Sequence, residues 1–314
     1  MSAMRISSST PLPPAAVAAS VVPVYLRLVL VALFWGGTFI AGRIVAHQMP
    51  AMTAAALRFA VAVPLLVLVA WRLEGGLPRL DRKQLLMTFA LGLSGIFLYN
   101  VCFFGALSRM PAGRTALFVA LNPIVTALLL ALLLRERLGG TRWAGILVAF
   151  VGAAVVITRG DLAGAWHDIR RAIGAGELLM LCAVSSWAAY TIIGRFALKG
   201  LSPVAATTYA AAWGLLLLGG GAVLEAPHVD WAALDWQVYA AIAYLGVFGT
   251  VIGFIWYYQG VKTIGPARTA VFNNLVPVFG ILLAALLLAE PVLLSMIVGG
   301  LLVVGGVTLT NRQK

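Results

Sequence analysis

Residues 114–123 read RTALFVALNP, and residues 268–277 read RTAVFNNLVP. The two stretches lie 154 positions apart and share Arg-Thr-Ala, Phe, Leu and Pro in register. At the same spacing Glu136 falls on Glu290, Gly145 on Gly299 and Gly152 on Gly306. A spacing of 152 brings Trp35 onto Trp187, and Gly42-Arg43 onto Gly194-Arg195. Leucine runs align with one another by composition alone. Paired Arg-Thr-Ala, Pro, Glu and Trp do not, so the chain is an internal duplication.

Composition says what was duplicated. Of 314 residues, 62% are hydrophobic and 10% charged, against about 25% charged in an ordinary soluble domain. So few charges cannot cover a water-facing surface, and most of this surface must face lipid. The 33 glycines and 14 prolines fall largely inside apolar stretches, as suits packed membrane helices.

Ten apolar segments lie at about 25–46, 51–71, 85–107, 113–134, 142–158, 175–198, 203–224, 237–260, 267–288 and 292–310. Each is close to the ~20 residues needed to cross about 30 Å of hydrocarbon as a helix. The predicted fold is an all-α integral membrane protein of ten transmembrane helices. Its parts are a mobile tail over 1–24, a first repeat over 25–158, a connector over 159–174, a second repeat over 175–310 and a tail over 311–314. Pro11, Pro13, Pro14 and Pro23 break the tail's apolar stretch, so it is not read as a signal peptide. Five helices is an odd number, so the second repeat must enter the bilayer from the opposite face. Inverted repeats of this kind place a binding site near the midplane, where the halves meet.

The formal net charge is +12. The bases sit in short loops rather than on a basic, aromatic-interleaved segment, which speaks for topology and against nucleic acid. With the N-terminus inside, fifteen Lys and Arg fall on cytoplasmic segments and six (Arg43, Arg109, Arg114, Arg159, Arg170, Arg171) outside. Both termini are therefore predicted to be cytoplasmic, in a bacterial inner (plasma) membrane. Cys102 and Cys182 lie in separate apolar segments and read as small apolar fillers, neither disulfide nor metal ligands.

The Trp35-Gly36-Gly37-Thr38-Phe39 start resembles a known pattern. So do its counterpart Trp187-Ala188-Ala189-Tyr190, the Pro-bearing fourth and ninth helices and the Glu136/Glu290 pair. Together they resemble the drug/metabolite transporter superfamily and, more narrowly, its ten-helix EamA-type members, over about 28–310. The resemblance implies cytoplasmic termini and the export or facilitated movement of small metabolites, amino acids among them. YddG-type exporters of aromatic amino acids stand nearest.

The ionisable groups narrow the chemistry. Glu74, Asp81, Glu136, Asp161, Asp168, Glu177, Glu225, Asp230, Asp235 and Glu290 all fall in connectors or near helix ends. A carboxylate at bilayer depth is costly and marks function where it occurs. None lies near the midplane, which disfavours a proton antiporter built on a buried carboxylate or a sodium cage and points to uniport or to coupling through groups near the surface. No acid-rich pair, HExxH or GxSxG motif is present, so an enzyme is not expected, nor a cofactor or metal.

Aromatic and amide side chains remain. The predicted substrate cavity draws on Trp35 and Thr38 in the first helix, Tyr99 and Asn100 in the third, and Asn122 in the fourth. The second repeat supplies Trp187, Tyr190, Thr191, Trp213, Trp256, Asn273 and Asn274. Buried amides need partners, and Asn100 and Asn122 read equally well as helix-to-helix ties. Trp71, Trp143, Trp231 and Trp236, at helix ends, suit an interfacial belt. Pro123 and Pro277 interrupt equivalent helices and are candidate hinges. Arg58, in the outer third of the second helix, is expected to snorkel, with carboxylate recognition its alternative role. Gly145, Gly152, Gly299, Gly300, Gly305 and Gly306 make small faces for scaffold or dimer packing.

The expected function is transport of small neutral or zwitterionic metabolites, amino acids including aromatic ones foremost. The expected partners are that substrate and the bilayer, for a monomer or homodimer. The alternatives are export of lipophilic cations by the same fold, or a non-transporting membrane scaffold.

Overall fold

The computed structural model describes residues 14–134, 139–161, 174–264 and 272–311, all helix, turn or loop. Glu136, Arg268-Thr269-Ala270, most of the connector and the tail over 312–314 lie outside the described residues. Among the described residues ten helical stretches follow one another, numbered α1 to α10 in chain order. α1 spans Pro14–Ala46 and α2 spans Ala51–Glu74. α3 is an α-helix over Arg82–Leu91, a π-helical stretch over Gly92–Leu98 and an α-helix over Tyr99–Leu107. α4 is split into Ala112–Val119 and Asn122–Leu134, and α5 spans Gly140–Ile157.

The second repeat copies this plan. α6 spans Ala175–Ala197 and α7 Pro203–Glu225. α8 is helical over Trp236–Gly246, π-helical over Val247–Ile252 and helical again over Gly253–Ile264. α9 opens with a 3₁₀ turn over Phe272–Asn274 and continues as Leu275–Leu288. α10 spans Leu294–Asn311. Both π-helical stretches and both interruptions therefore fall at repeat-equivalent positions.

The first helix differs from expectation. It begins at Pro14 and takes in residues 14–24 of the expected tail. Proline is tolerated at a helix start, where its missing N–H would have no intrahelical partner. Only Pro23 stands inside α1.

Contacts follow the two-fold relation as well. α2 packs on α7, and α5 on α10. α3 packs on α6 and α7, and α8 correspondingly on α1 and α2. α4 meets α6 as α9 meets α1.

The α5–α10 pair is the closest in the molecule, and glycine explains it. A Cβ on Gly152 would come within 2.6 Å of the Gly299 carbonyl oxygen, and one on Gly299 within 2.6 Å of the Gly152 oxygen. Gly306 meets the Gly145 oxygen in the same way, at 2.5 Å. Two repeat-related glycine pairs let the backbones touch, as small residues do between membrane helices. The outer faces of the pair, with Leu147, Phe150, Val151, Leu294, Ile297 and Leu301, are exposed, as a lipid-facing surface requires. Trp71, Trp143, Trp231 and Trp236 are also exposed, at helix ends.

The α2 and α7 ends are cross-tied by pseudosymmetric carboxylates. Glu74, ending α2, accepts the Ser202 hydroxyl at 2.7 Å beside the start of α7. Glu225, ending α7, accepts the Thr53 N–H at 2.8 Å and its hydroxyl at 3.1 Å, near the start of α2. Glu225 thereby satisfies a first-turn N–H that lacks an intrahelical partner, and Glu74 holds the hydroxyl that caps α7. These ties fix the wall behind the cavity.

Candidate functional site

Between the repeats lies a cavity of about 820 Å³, its open mouth included. Helices of both repeats wall it, and the π-helical stretches shape it. A π turn carries one extra residue, which re-aims side chains and frees backbone groups, and such turns recur at functional sites.

In α8 a carbonyl of the π-helical stretch is bonded across the repeat interface. The indole N–H of Trp35 donates to the Gly249 oxygen at 3.1 Å. Gly249 must be small, since a Cβ there would sit 2.6 Å from Cγ2 of Thr38. The counterpart in α3 is Gly95, where a Cβ would collide with the ring of Tyr190. Asn100 closes the α3 π stretch by donating to the Ile96 carbonyl at 2.7 Å. Thr250 does the same in α8, donating to the Leu245 carbonyl at 2.9 Å.

The wall itself is aromatic and polar by turns. Trp35, Tyr99, Trp187 and Phe254 line it with Phe39 and Phe103. Trp187 lies 5.3 Å from Tyr99 and 6.3 Å from Phe254, and Trp35 lies 5.7 Å from Phe254, between ring centroids. This makes a chain of rings across the repeat interface. Thr38, Asn122, Asn273 and Asn274 supply the neutral polar groups.

The interrupted helices explain why the amides face inward. α4 breaks at Ala120–Leu121, with tight bonds from Ala120 N–H to the Leu117 carbonyl and from Leu121 N–H to the Phe118 carbonyl. Asn122 opens its second segment. In α9 the 3₁₀ turn containing Asn273 and Asn274 precedes the α-helix at Leu275. Pro123 and Pro277 are thus the second and third residues of new segments, not mid-helix prolines. In a first turn a missing N–H costs nothing, so the interruption lies before each proline rather than at a bond it removed. The side chain of Pro123 lies outside the described part; Pro277 is buried.

Several residues expected at the cavity stand elsewhere. Asn100 is buried behind the wall, bonded to Arg58. Tyr190 packs against Trp187 with the rings tilted, 5.2 Å between centroids, and fills the notch at Gly95. Thr191 is exposed and turns its hydroxyl back to the Trp187 carbonyl at 2.9 Å. Trp213 packs on Phe89 at 5.5 Å, because α7 lies in the layer behind α3. Trp256 sits 5.9 Å from Phe34, on the face that α8 turns to α1.

Arg58 does not snorkel. It is 8% exposed and lines the cavity. Its Nε donates to Thr250 Oγ1 at 3.1 Å and its Nη1 to Asn100 Oδ1 at 3.1 Å. Two repeats thus hold one guanidinium. Phe254, Gly249 and Phe103 were also missed, being apolar residues without a sequence signal of their own.

One end of the bundle, carrying the C-terminus of α1, is tied by ion pairs. Glu290 accepts the N–H groups of Ala112 and Gly113 at 2.8 and 3.0 Å, capping α4 from beyond α9. Arg43 stands 3.8 Å from the same carboxylate and donates to the carbonyls of Leu107 and Met110. Arg114 pairs with Glu177 at 2.8 Å, both nearly buried. Glu290 thus caps the start of α4 across the repeat interface.

The EamA-like transporter family model matches residues 22–158 and again 174–312, one copy on each repeat. The chain belongs to the EamA-like transporter family. Transporter YyaM of Bacillus subtilis (strain 168) is 30% identical over 285 residues, covering 90% of this chain and 92% of that protein. A probable terminal-alkyne amino-acid exporter of Streptantibioticus cattleyicolor is 29% identical, over 91% of this chain and 92% of its own. A probable amino-acid metabolite efflux pump of Salmonella typhimurium is also 29% identical, over 88% and 91%. A solved crystal structure at 20% identity shares the fold, with a TM-score of 0.62 over 91% of this chain. This EamA-like transporter is a multi-pass membrane protein, and its cavity is where the family's two repeats meet.

Proposed function

We propose that this EamA-like transporter carries small neutral or zwitterionic metabolites, amino acids including aromatic ones foremost, by alternating access. It acts as an exporter or facilitated uniporter. The observation that carries the reading is the cavity at the repeat interface, with aromatic faces from both repeats and amides at two helix interruptions. Aromatic faces suit a flat apolar side chain, and neutral amides suit the polar end of a zwitterion. The names of the two amino-acid-exporting relatives support the same class.

Rocking of one repeat against the other would pivot where α4 and α9 are interrupted, just before Pro123 and Pro277. The positive-inside bias supports cytoplasmic termini in a bacterial inner membrane. Lipophilic cations suit the cavity poorly, since Arg58 stands on its wall.

Counterflow in liposomes tests the proposal, using labelled amino acids with and without a pH gradient. Saturable exchange indifferent to the gradient is the expected result. Absence of exchange for every amino acid would move the substrate to another class.

A further inference from the structure

Among the described residues Arg58 is the charged group on the cavity wall, and the ion pairs Arg43–Glu290 and Arg114–Glu177 lie at the end of the bundle and do not include it. The partners of Arg58 are neutral: the Thr250 hydroxyl takes Nε and the Asn100 amide oxygen takes Nη1. Its Nη2 lies 3.8 Å from where a Cβ on Gly249, another residue of the wall, would stand. No described carboxylate lines the cavity. A guanidinium in a low-dielectric site without a counter-ion is costly and marks function by default.

Two further features carry the same sign. The second segment of α4 starts at Asn122 and that of α9 at Leu275, and Asn122, Asn274 and Val276 all line the cavity. Helix starts carry partial positive charge, and half-helix starts at a transporter midplane face anionic substrate groups. Asn122 itself holds a buried Oδ1 with no hydrogen-bond partner. A buried acceptor without a donor is also costly. The cavity therefore offers a fixed cation and two helix starts for an anion, an unmet acceptor for a donor, and a ring of aromatic faces.

We infer that Arg58 anchors the carboxylate of the substrate, and that the carried molecule is an α-amino acid with a flat apolar side chain. The guanidinium neutralises the carboxylate, the Asn122 oxygen takes the ammonium, and Trp35, Tyr99, Trp187 and Phe254 enclose the side chain. This inference rests on the cavity being the transport site. It adds that a free carboxylate is required, so that amines and amides of the same shape are rejected.

The test compares tryptophan, phenylalanine, tryptophanamide and tryptamine on the intact wild-type protein. The two readouts are ligand-induced thermal stabilisation in detergent and competition for counterflow in liposomes. The carboxylates are expected to bind about 10- to 100-fold more tightly than the amide and the amine, as for loss of a charge-assisted hydrogen bond. Equal binding of tryptophan and of tryptamine, a cation at neutral pH, would overturn the inference and favour export of lipophilic cations. Carboxylate-selective stabilisation without any counterflow would uphold the site and overturn the transport reading. No stabilisation by either acid would overturn the inference. Asn100→Asp supplies Arg58 with an internal carboxylate and is expected to erase the preference for acids in protein that still folds. Retention of that preference in Asn100→Asp would count against Arg58 as the anchor.

Discussion

The indole N–H of Trp35, on α1, donates to the Gly249 carbonyl in the π-helical stretch of α8, at 3.1 Å. The bond joins the two repeats at a carbonyl of the π-helical stretch. It also holds the indole in one orientation on the cavity wall, 5.4 Å from Tyr257 and 5.7 Å from Phe254. One hydrogen bond thus couples the shape of α8 to the face that meets substrate.

Trp35→Phe keeps a ring and removes the donor. Counterflow is expected to fall by about 2- to 10-fold, the equivalent of one net hydrogen bond. Trp35→Ala and Trp187→Ala should cut transport further while membrane insertion and yield persist. Unchanged transport in the alanine variants would remove both indoles from the substrate path.

Gly249→Ala should push against Cγ2 of Thr38, at 2.6 Å, and cost about 1–3 kcal/mol of stability. Thr38→Ser deletes that methyl group and is expected to restore part of the loss. Thermal melts of the two single variants and the double variant give the coupling, expected at about 0.5 kcal/mol or more. Strict additivity would mean that the clash is relieved elsewhere.

The two acids at the α1 C-terminal end should differ in cost. Glu177→Ala leaves Arg114 nearly buried without its partner carboxylate, for which about 3–5 kcal/mol is expected. Glu290→Ala uncaps α4, whose cost is about 0.5–2 kcal/mol. Melting temperatures of the purified variants rank them, and a reversed order would contradict the burial of the Arg114 pair.

Gly152→Ala places a methyl group 2.6 Å from the Gly299 carbonyl oxygen, where two backbones already touch. Overpacking of this kind costs about 1–3 kcal/mol. The expected outcome is a lower melting temperature with an unchanged substrate profile, because α5 and α10 contribute nothing to the cavity wall among the described residues. A changed profile would tie the α5–α10 pair to the cavity.

Pro277→Ala should leave stability within about 1 kcal/mol, since the proline stands in a first turn. If α9 pivots at its interruption, loss of the ring that fixes φ loosens that turn and changes the turnover rate. Counterflow rate and melting temperature measured on the same preparation separate the two effects.

The bilayer made much of this architecture legible from residues alone. A membrane-crossing helix must be apolar over about 20 residues, so the segments ending near Ala46, Leu107, Leu134 and Leu288 could be read by length. The duplicated Arg-Thr-Ala and Pro positions announced the inverted repeat, and Trp35, Trp187, Asn122 and the Asn273-Asn274 pair stood out as polar or aromatic groups in hydrocarbon. What the residues could not say is which way each side chain faces. A soluble helix betrays its inner face by amphipathic period, whereas a membrane helix is apolar all round and carries almost no such signal. Thr191, Trp213 and Trp256 were indistinguishable from Trp35 on that ground, yet tertiary packing turned them elsewhere. The π turns of α3 and α8 have no sequence code and were found only in the folded chain. Arg58 shows the division best. Its place a third of the way along α2 is equally compatible with an extended stem reaching the interface, and only the arrival of Asn100 from α3 and Thr250 from α8 holds it at the cavity.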